Sequence, residues 1–327
     1  MHDHRSFTVY KVGGAVRDEL MGLQPKDIDW VVVNATQDDV ARMIKEGYEQ
    51  VGADFPVFLH PQTREEYAFA RVERKVGVGY HGFEVSTQNV TIEQDCARRD
   101  LTVNSMAQAP DGTIIDPFNG QADIENKILR HTTDAFAEDP LRVLRLARFA
   151  ARWNWDVHPD TIELCKQIAS KGELNHLSIE RIWKEIDKGL QSPHPFRFFE
   201  VLDQVDAIAN CRVLKDMFPN GIHPFTKKIC DSLKLVLSSD RLTIGVALVA
   251  VHDAQLEGAP SRVKDAHKFH AWALMMDWGS EDIVKFLNKT KAFHGGQVFK
   301  DVVMCETCMF EAGYKFVNPN HLLLAAT

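Results

Sequence analysis

The 327-residue chain predicts an α+β fold: a head of mixed β-sheet with helices, an all-α neck and body, and a shortened helical region at the end. Three observations predict it. Residues 1–135 break short β-type runs with Gly and Pro, whereas residues 136–218 and 219–327 read as helix after helix. Within the head, residues 12–30 order a strand, a Gly-Gly break, a short helix and a second strand. Apolar residues make up 45% of the chain, enough to build more than one core.

Residues 7–12 read as the first strand, which Gly13 and Gly14 break. Residues 15–21 then form a helix that Gly22 closes. Residues 26–33 read as the second strand and end in Trp30-Val31-Val32-Val33. Side chains two apart in a strand point the same way, which sets Asp27 beside Asp29. Two parallel carboxylates repel unless a cation lies between them, and hard oxygen donors suit Mg²⁺. The glycines let backbone N–H groups approach a phosphate at a helix start. The stretch therefore reads as a site for a metal-bound nucleoside triphosphate.

Residues 37–48 read as a surface helix, residues 52–59 lead into a strand, and residues 66–72 form another. Glu66 is a candidate third carboxylate, with exposure on a strand edge as the alternative. Residues 73–83 form a charged loop with three glycines, read either as a lid over bound nucleotide or as a surface hairpin. The segment Ala97-Arg98-Arg99-Asp100-Leu101-Thr102-Val103-Asn104 reads as a helix opening beside an anionic ligand. There Arg98 and Arg99 grip phosphate oxygens, and Asp100 and Asn104 bind sugar hydroxyls or orient those arginines. Asp116-Pro117-Phe118-Asn119-Gly120 is a turn, followed by hinge and packing residues to Arg130.

The second centre begins at Glu138-Asp139-Pro140-Leu141-Arg142. Asp139 is a natural N-cap and Pro140 a natural first helical residue. At helical spacing Arg142, Arg145, Arg148 and Arg152 share a stripe about 120° wide, opposite Val143, Leu144, Ala147, Ala150 and Ala151. Few acids follow Asp139 on this helix, so the stripe reads as a surface for an anionic ligand.

The Gly-Gly-Ala-Val-Arg-Asp and Asp-Ile-Asp pair, then Arg-Arg-Asp-Leu-Thr-Val-Asn-Ser-Met-Ala, then Glu-Asp-Pro-Leu-Arg-Val-Leu-Arg, in this order, resemble the class II tRNA nucleotidyltransferases. These are the bacterial CCA-adding enzymes of the polymerase β superfamily. The resemblance is dense over residues 10–153 and thinner to Phe218. It implies a nucleotidyltransferase head at 1–135, a helical neck and body at 136–218 for nucleotide selection and tRNA binding, and a degenerate HD-like region at 219–327. It implies that Asp27 and Asp29 are catalytic and carry Mg²⁺. Gly13, Gly14 and Arg17 hold the triphosphate, and Arg99, Asp100 and Asn104 contact the nucleotide. Glu138, Asp139 and Arg142 form a protein template, completed by Arg145 and Arg148. Asp139 accepts from the exocyclic amine of C or A, and Arg142 donates to the adjacent ring nitrogen. The implied partners are CTP, ATP and the tRNA 3′ end.

The HD region departs from the family. His223 and His252-Asp253 stand where its first ligands belong, but the Gly-Lys and the histidine cluster that usually follow are missing. His267 and His270 are candidate substitutes, and a trimmed remnant without hydrolytic metal is the favoured reading. Partial CC or A addition, poly(A) polymerisation, an HD-type phosphohydrolase and a silent tRNA-binding protein are the rivals. Cys305-x-x-Cys308 is at most half a zinc site, and six irregularly spaced cysteines read as reduced thiols. A net charge of −8 argues against general coating of nucleic acid, though not against a local basic strip. No apolar run reaches the roughly 18 residues of a membrane span. No signal peptide is read at Met1-His2-Asp3-His4, so the expectation is a cytoplasmic protein; its oligomeric state stays open, with a monomer favoured.

Overall fold

The computed structural model describes residues 7–51, 57–75, 83–87, 89–222, 226–233, 236, 240, 243, 245–246, 254–274, 289–290 and 297–311. The chain divides into two compact units. Unit 1 is Met1–Arg142 with Asp156–Thr161, and unit 2 is Val143–Trp155 with Ile162–Thr327. Segments 136–218 and 219–327 thus contribute mainly to one unit.

Unit 1 begins with β1 (Thr8–Val12), α1 (Gly14–Leu20) and β2 (Asp29–Val33). The second strand is shorter than its apolar pattern predicts. It starts at Asp29, and Asp27 lies in the bend before it. Gly22 closes α1 as expected, at φ 73°. Next come α2 (Gln37–Lys45), β3 (Glu49–Val51), β4 (Val57–Leu59) and β5 (Glu66–Phe69). Strands β6 (Val72–Lys75) and β7 (Phe83–Ser86) pair antiparallel. The expected lid falls, at residues 76–82, outside the described residues. Helix α3 (Ile92–Ala97) precedes a 3₁₀ turn (Thr102–Asn104), β8 (Ala107–Gln108), β9 (Ile114–Ile115) and α4 (Gly120–Asn126).

Seven strands form one sheet in the order β3-β4-β5-β2-β1-β8-β9. The β2–β5 pair is parallel and the other pairs are antiparallel. Val31 and Val33 share the core side with Val12, Ala70, Val90, Ile92, Cys96 and Ala107. Because side chains alternate, Asp29 stands on that same side, at the open end of the strand. Strand β10 (Ile128–Leu129) pairs parallel with β11 (Asp156–Val157) and draws residues 156–161 into unit 1.

Unit 2 is helical. Helix α5 (Leu141–Trp153) contributes all but its first two residues and α6 (Pro159–Ser170) all but its first three, and α7 (Ile179–Gln191), α8 (Pro195–Gln204), α9 (Ala207–Asn210), α10 (Arg212–Met217) and α11 (Thr226–Ser232) follow. The described remainder includes helices Ser261–Leu274 and Gln297–Glu311, joined by Arg262 to Asp301 at 2.7 Å. The core of α7 and α8 is tight. A Cβ on Gly189 would lie 2.6 Å from the Phe198 ring, so only glycine lets these helices approach so closely.

The arginine stripe of α5 is real: Arg142, Arg145, Arg148 and Arg152 are half-buried while Val143, Leu144, Ala147, Ala150 and Ala151 are buried. The helix itself carries few acids, as expected, but tertiary structure supplies a partner from another helix. Arg148 Nε donates to Glu185 of α7 at 2.6 Å, and that carboxylate is buried. Sequence-local reading misses this because the partner lies 37 residues away.

The six cysteines are free and buried. Cys305 and Cys308 lie on the buried side of the last described helix. His267 is buried too, while His223, His252 and Asp253 lie outside the described residues. No helix among the described residues is long and apolar enough to cross a membrane.

Candidate active site

The register of the sheet assembles the site. Val12 lies opposite Asp29 in the β1–β2 pair, so the Gly13-Gly14 turn emerges directly beside that carboxylate. Gly13 adopts φ 66°, a left-handed conformation that favours glycine. A Cβ there would also sit 2.7 Å from Arg99 Nη1, so the absent side chain makes room for the guanidinium. The Gly13 N–H donates to Met106 O at 3.0 Å, which commits that amide to the sheet edge rather than to a ligand. Gly14 opens α1.

Arg98 and Arg99 stand at the end of α3, not at the opening of a helix as their sequence suggests. Thr91 and Gln94 form a reciprocal capping box that starts α3 at Ile92, and the helix is spent by Ala97. This places Asp95 one turn before both arginines. Its Oδ1 accepts from Arg98 Nε at 2.9 Å and Nη2 at 2.7 Å; its Oδ2 accepts from Arg99 Nε at 3.2 Å and Nη2 at 3.0 Å. Asp95 has no solvent exposure at all. Sequence reading missed it, although its i,i+3 and i,i+4 spacing to two arginines was visible once the capping box fixed the helix start.

Burial opposes the charge on Asp95, but Arg99 and then Arg98 outweigh it and hold its carboxyl below the usual value of 3.8. A lowered pKa in the folded state stabilises above 3.8, and that stability is lost as pH falls through the depressed value. Asp95→Asn is therefore expected to lower stability most at neutral pH. The gap from the parent should narrow below about pH 4, as denaturant titrations over a pH series will report.

Asp29 behaves oppositely. Protein crowding on its inner side raises its pKa above 3.8, Arg99 pulls it back, and Asp27 raises it again; the net direction is upward. The two carboxylates thus feel each other although only Asp29 is in the strand. Glu66 pairs with Asp29 in the parallel β2–β5 register. Even so, among the described residues no three His, Cys, Asp or Glu side chains converge as a metal cluster. What stands here is a two-carboxylate, all-oxygen donor set. That set fits a hard divalent ion completing its shell with phosphate oxygens and water.

Arg17, Asp100 and Asn104 form a buried frame. Arg17 donates from Nε to Asp18 Oδ1 at 2.8 Å and from Nη1 to Asn104 Oδ1. Asn104 Nδ2 donates to Asp100 Oδ1 at 2.9 Å, and so does the Leu101 N–H at 2.8 Å. The frame joins α1 to the 3₁₀ turn, and Asn104 orients Arg17 rather than Arg98 or Arg99.

Glu138 ends a 3₁₀ turn (Asp134–Glu138) and is half-buried. Asp139 Oδ1 accepts the Leu141 N–H at 3.1 Å, the capping role its position predicts. Arg142 Nη1 donates to Ala135 O at 2.6 Å and Nη2 to Arg98 O at 2.5 Å. These bonds tie the start of α5 to the turn that carries Arg98 and Arg99, a clamp that spacing alone does not reveal. Arg145 lies 5.8 Å from the Phe149 ring centroid, within unit 2 like Arg148.

Comparison with known proteins bears on this arrangement. Residues 9–130 match the family described as the Poly A polymerase head domain. Residues 154–211 match the family described as the probable RNA and SrmB-binding site of polymerase A. A Multifunctional CCA protein from Alkalilimnicola ehrlichii is 46% identical over 276 residues, covering 80% of this chain and 66% of the relative. The chain belongs to the CCA-adding tRNA nucleotidyltransferase family.

A second relative in that family, a CCA-adding enzyme from Marinobacter nauticus, is 55% identical over 203 residues, covering 61% of this chain and 54% of the relative. The chain spans between about half and two thirds of the length of the curated relatives it matches. Solved structures show the same fold at low identity. The Bacillus stearothermophilus CCA-adding enzyme in complex with CTP superposes with a TM-score of 0.66 at 23% identity, over 98% of this chain and 77% of that one. A tRNA nucleotidyltransferase complexed with a primer tRNA and an incoming ATP analogue gives 0.66 at 23% identity, over 93% and 94% of the two chains. The mixed sheet with helices followed by a helical body is therefore the family's fold.

Proposed function

We propose that this chain adds or repairs the 3′-terminal CCA of tRNA without a nucleic-acid template, using CTP and ATP with Mg²⁺ and releasing pyrophosphate. The observation that carries the reading is Asp29 held beside the Gly-Gly turn, with Arg99 laid over Gly13. Carboxylates, a glycine turn and a fixed cation are what a triphosphate needs around it. A bound divalent ion supplies charge neutralisation on the phosphates and lowers the pKa of the attacking 3′-hydroxyl.

The chain's own residues do the rest. Asp27 and Asp29 would hold the ion. Gly13 keeps the turn clear of side-chain bulk, and Arg99 presents positive charge to the phosphates. The Arg17–Asn104–Asp100 frame keeps α1 and its turn in place. Asp139 caps α5 and stands beside Arg142 as an acceptor suited to a base amine, while Arg142 retains N–H groups beyond the two spent on carbonyls. The cytoplasmic, monomeric state belongs to the same reading.

The test uses tRNA lacking its last three nucleotides, with each triphosphate singly and CTP with ATP, in Mg²⁺ or EDTA. Two C residues and then one A are expected, with no transfer in EDTA. C addition alone, A addition alone or a long A tail would replace the reading with the corresponding partial enzyme or polymerase. Absence of any transfer would remove it.

A further inference from the structure

The geometry points to Asp95 as a positioning residue for nucleotide binding, one that sets the angle at which Arg99 meets the triphosphate; this rests on the nucleotidyltransferase reading above. Asp95 grips Arg99 by one edge only. Nε and Nη2 are bonded to Oδ2, and Nη1, on the opposite edge, lies over Gly13. The far edge of a guanidinium held this way has a fixed direction, because the group is planar and its near edge is pinned at two points. That direction is toward the Gly-Gly turn, and Arg99 also acts electrostatically on Asp29.

The grip is itself anchored. Asp95 is sealed from solvent, Oδ1 is occupied by Arg98 in the same two-point manner, and the Arg71 N–H reaches Oδ1 at 3.4 Å. Asp95 therefore cannot rotate without breaking several bonds at once. Arg98, in turn, is held through its carbonyl by Arg142. One buried carboxylate, sealed from solvent, so governs both Arg99, which lies over Gly13, and its neighbour Arg98. A merely structural role for Asp95, as a staple at the end of α3, is the alternative.

The alternatives separate in a double-mutant cycle. Single-nucleotide addition of CTP is measured for the parent, Asp95→Asn, Arg99→Gln and the double variant, with melting temperature recorded for each. Asp95→Asn is expected to raise the KM for CTP about tenfold, as loss of a charge-assisted grip implies. In the Arg99→Gln background the same change should leave KM nearly unaltered. An equal KM factor in both backgrounds would overturn the inference, leaving Asp95 a staple.

Should Asp95→Asn not fold, Asp95→Glu provides the second arm, because it keeps the buried charge while displacing it by one methylene. A raised KM with a near-parental melting temperature supports positioning; unchanged KM overturns it. If the parent itself transfers no nucleotide, the functional reading fails, and that result is distinct from a parent that transfers normally with additive variants.

Discussion

Asp29→Asn and Asp27→Asn are each expected to abolish nucleotide incorporation, by about a thousandfold or more, while tRNA binding stays near the parental level. The expectation follows from the donor set: either change leaves a single carboxylate to hold the ion. The transition-state stabilisation at stake is several kcal/mol, and each ~1.4 kcal/mol is tenfold in rate. The isosteric amide keeps the sheet register, so Val12 should still lie opposite residue 29 and the fold should persist. Single-turnover incorporation of CTP together with a tRNA binding titration reads both halves. Near-parental turnover in either variant would remove the metal assignment, and parallel loss of tRNA binding would point to a folding defect instead.

The two positions should also differ from each other. Asp29 is locked into the ladder between β1 and β5, whereas Asp27 sits in an exposed bend where the backbone can adjust. That difference was not legible in the sequence, because Asp27-Ile28-Asp29-Trp30 keeps the polar–apolar alternation of a strand although the strand begins only at Asp29. What the unbroken apolar run did reveal was the buried Val31–Val33 end, since burial there needs no knowledge of partners.

Other features became visible for different reasons. The Gly13-Gly14 break, the Gly22 closure and the Asp139 cap are local chemistry, so spacing was enough to find them. The partnership of Arg148 with Glu185 is tertiary, and an arginine stripe without nearby acids looks the same whether its counter-charge is a ligand or a distant carboxylate. Asp95 lay between these cases. Its arginine partners are only three and four residues away, but placing Arg98 at a helix opening hid the pairing. Reading Thr91-x-x-Gln94 as the capping box restores it.

Arg142→Ala is expected to have two separable effects. The first is a loss of stability. Arg142 donates to the carbonyls of Ala135 and Arg98, and bonds from a charged donor contribute a net of roughly 1.5–3 kcal/mol each. The melting temperature should fall, and a urea titration should show a lower midpoint. The second effect concerns the base. With the clamp in place, Arg142 still has donors to offer an incoming C or A, and the Asp139 carboxylate that caps α5 supplies the acceptor of the pair. Without the guanidinium the acceptor nitrogen of the correct base goes unpaired, so preference for CTP and ATP over UTP and GTP should fall about tenfold to a hundredfold. The Mg²⁺ requirement should not change. Arg142→Lys discriminates further, since an ammonium restores one bond and the charge but cannot hold two carbonyls and a base edge together. It should regain part of the stability and little of the selectivity. Comparing kcat/KM for the four triphosphates on tRNA lacking CCA decides the matter. If all four weaken in parallel while stability falls, Arg142 is a clamp for the Arg98–Arg99 turn and the choice of base lies elsewhere.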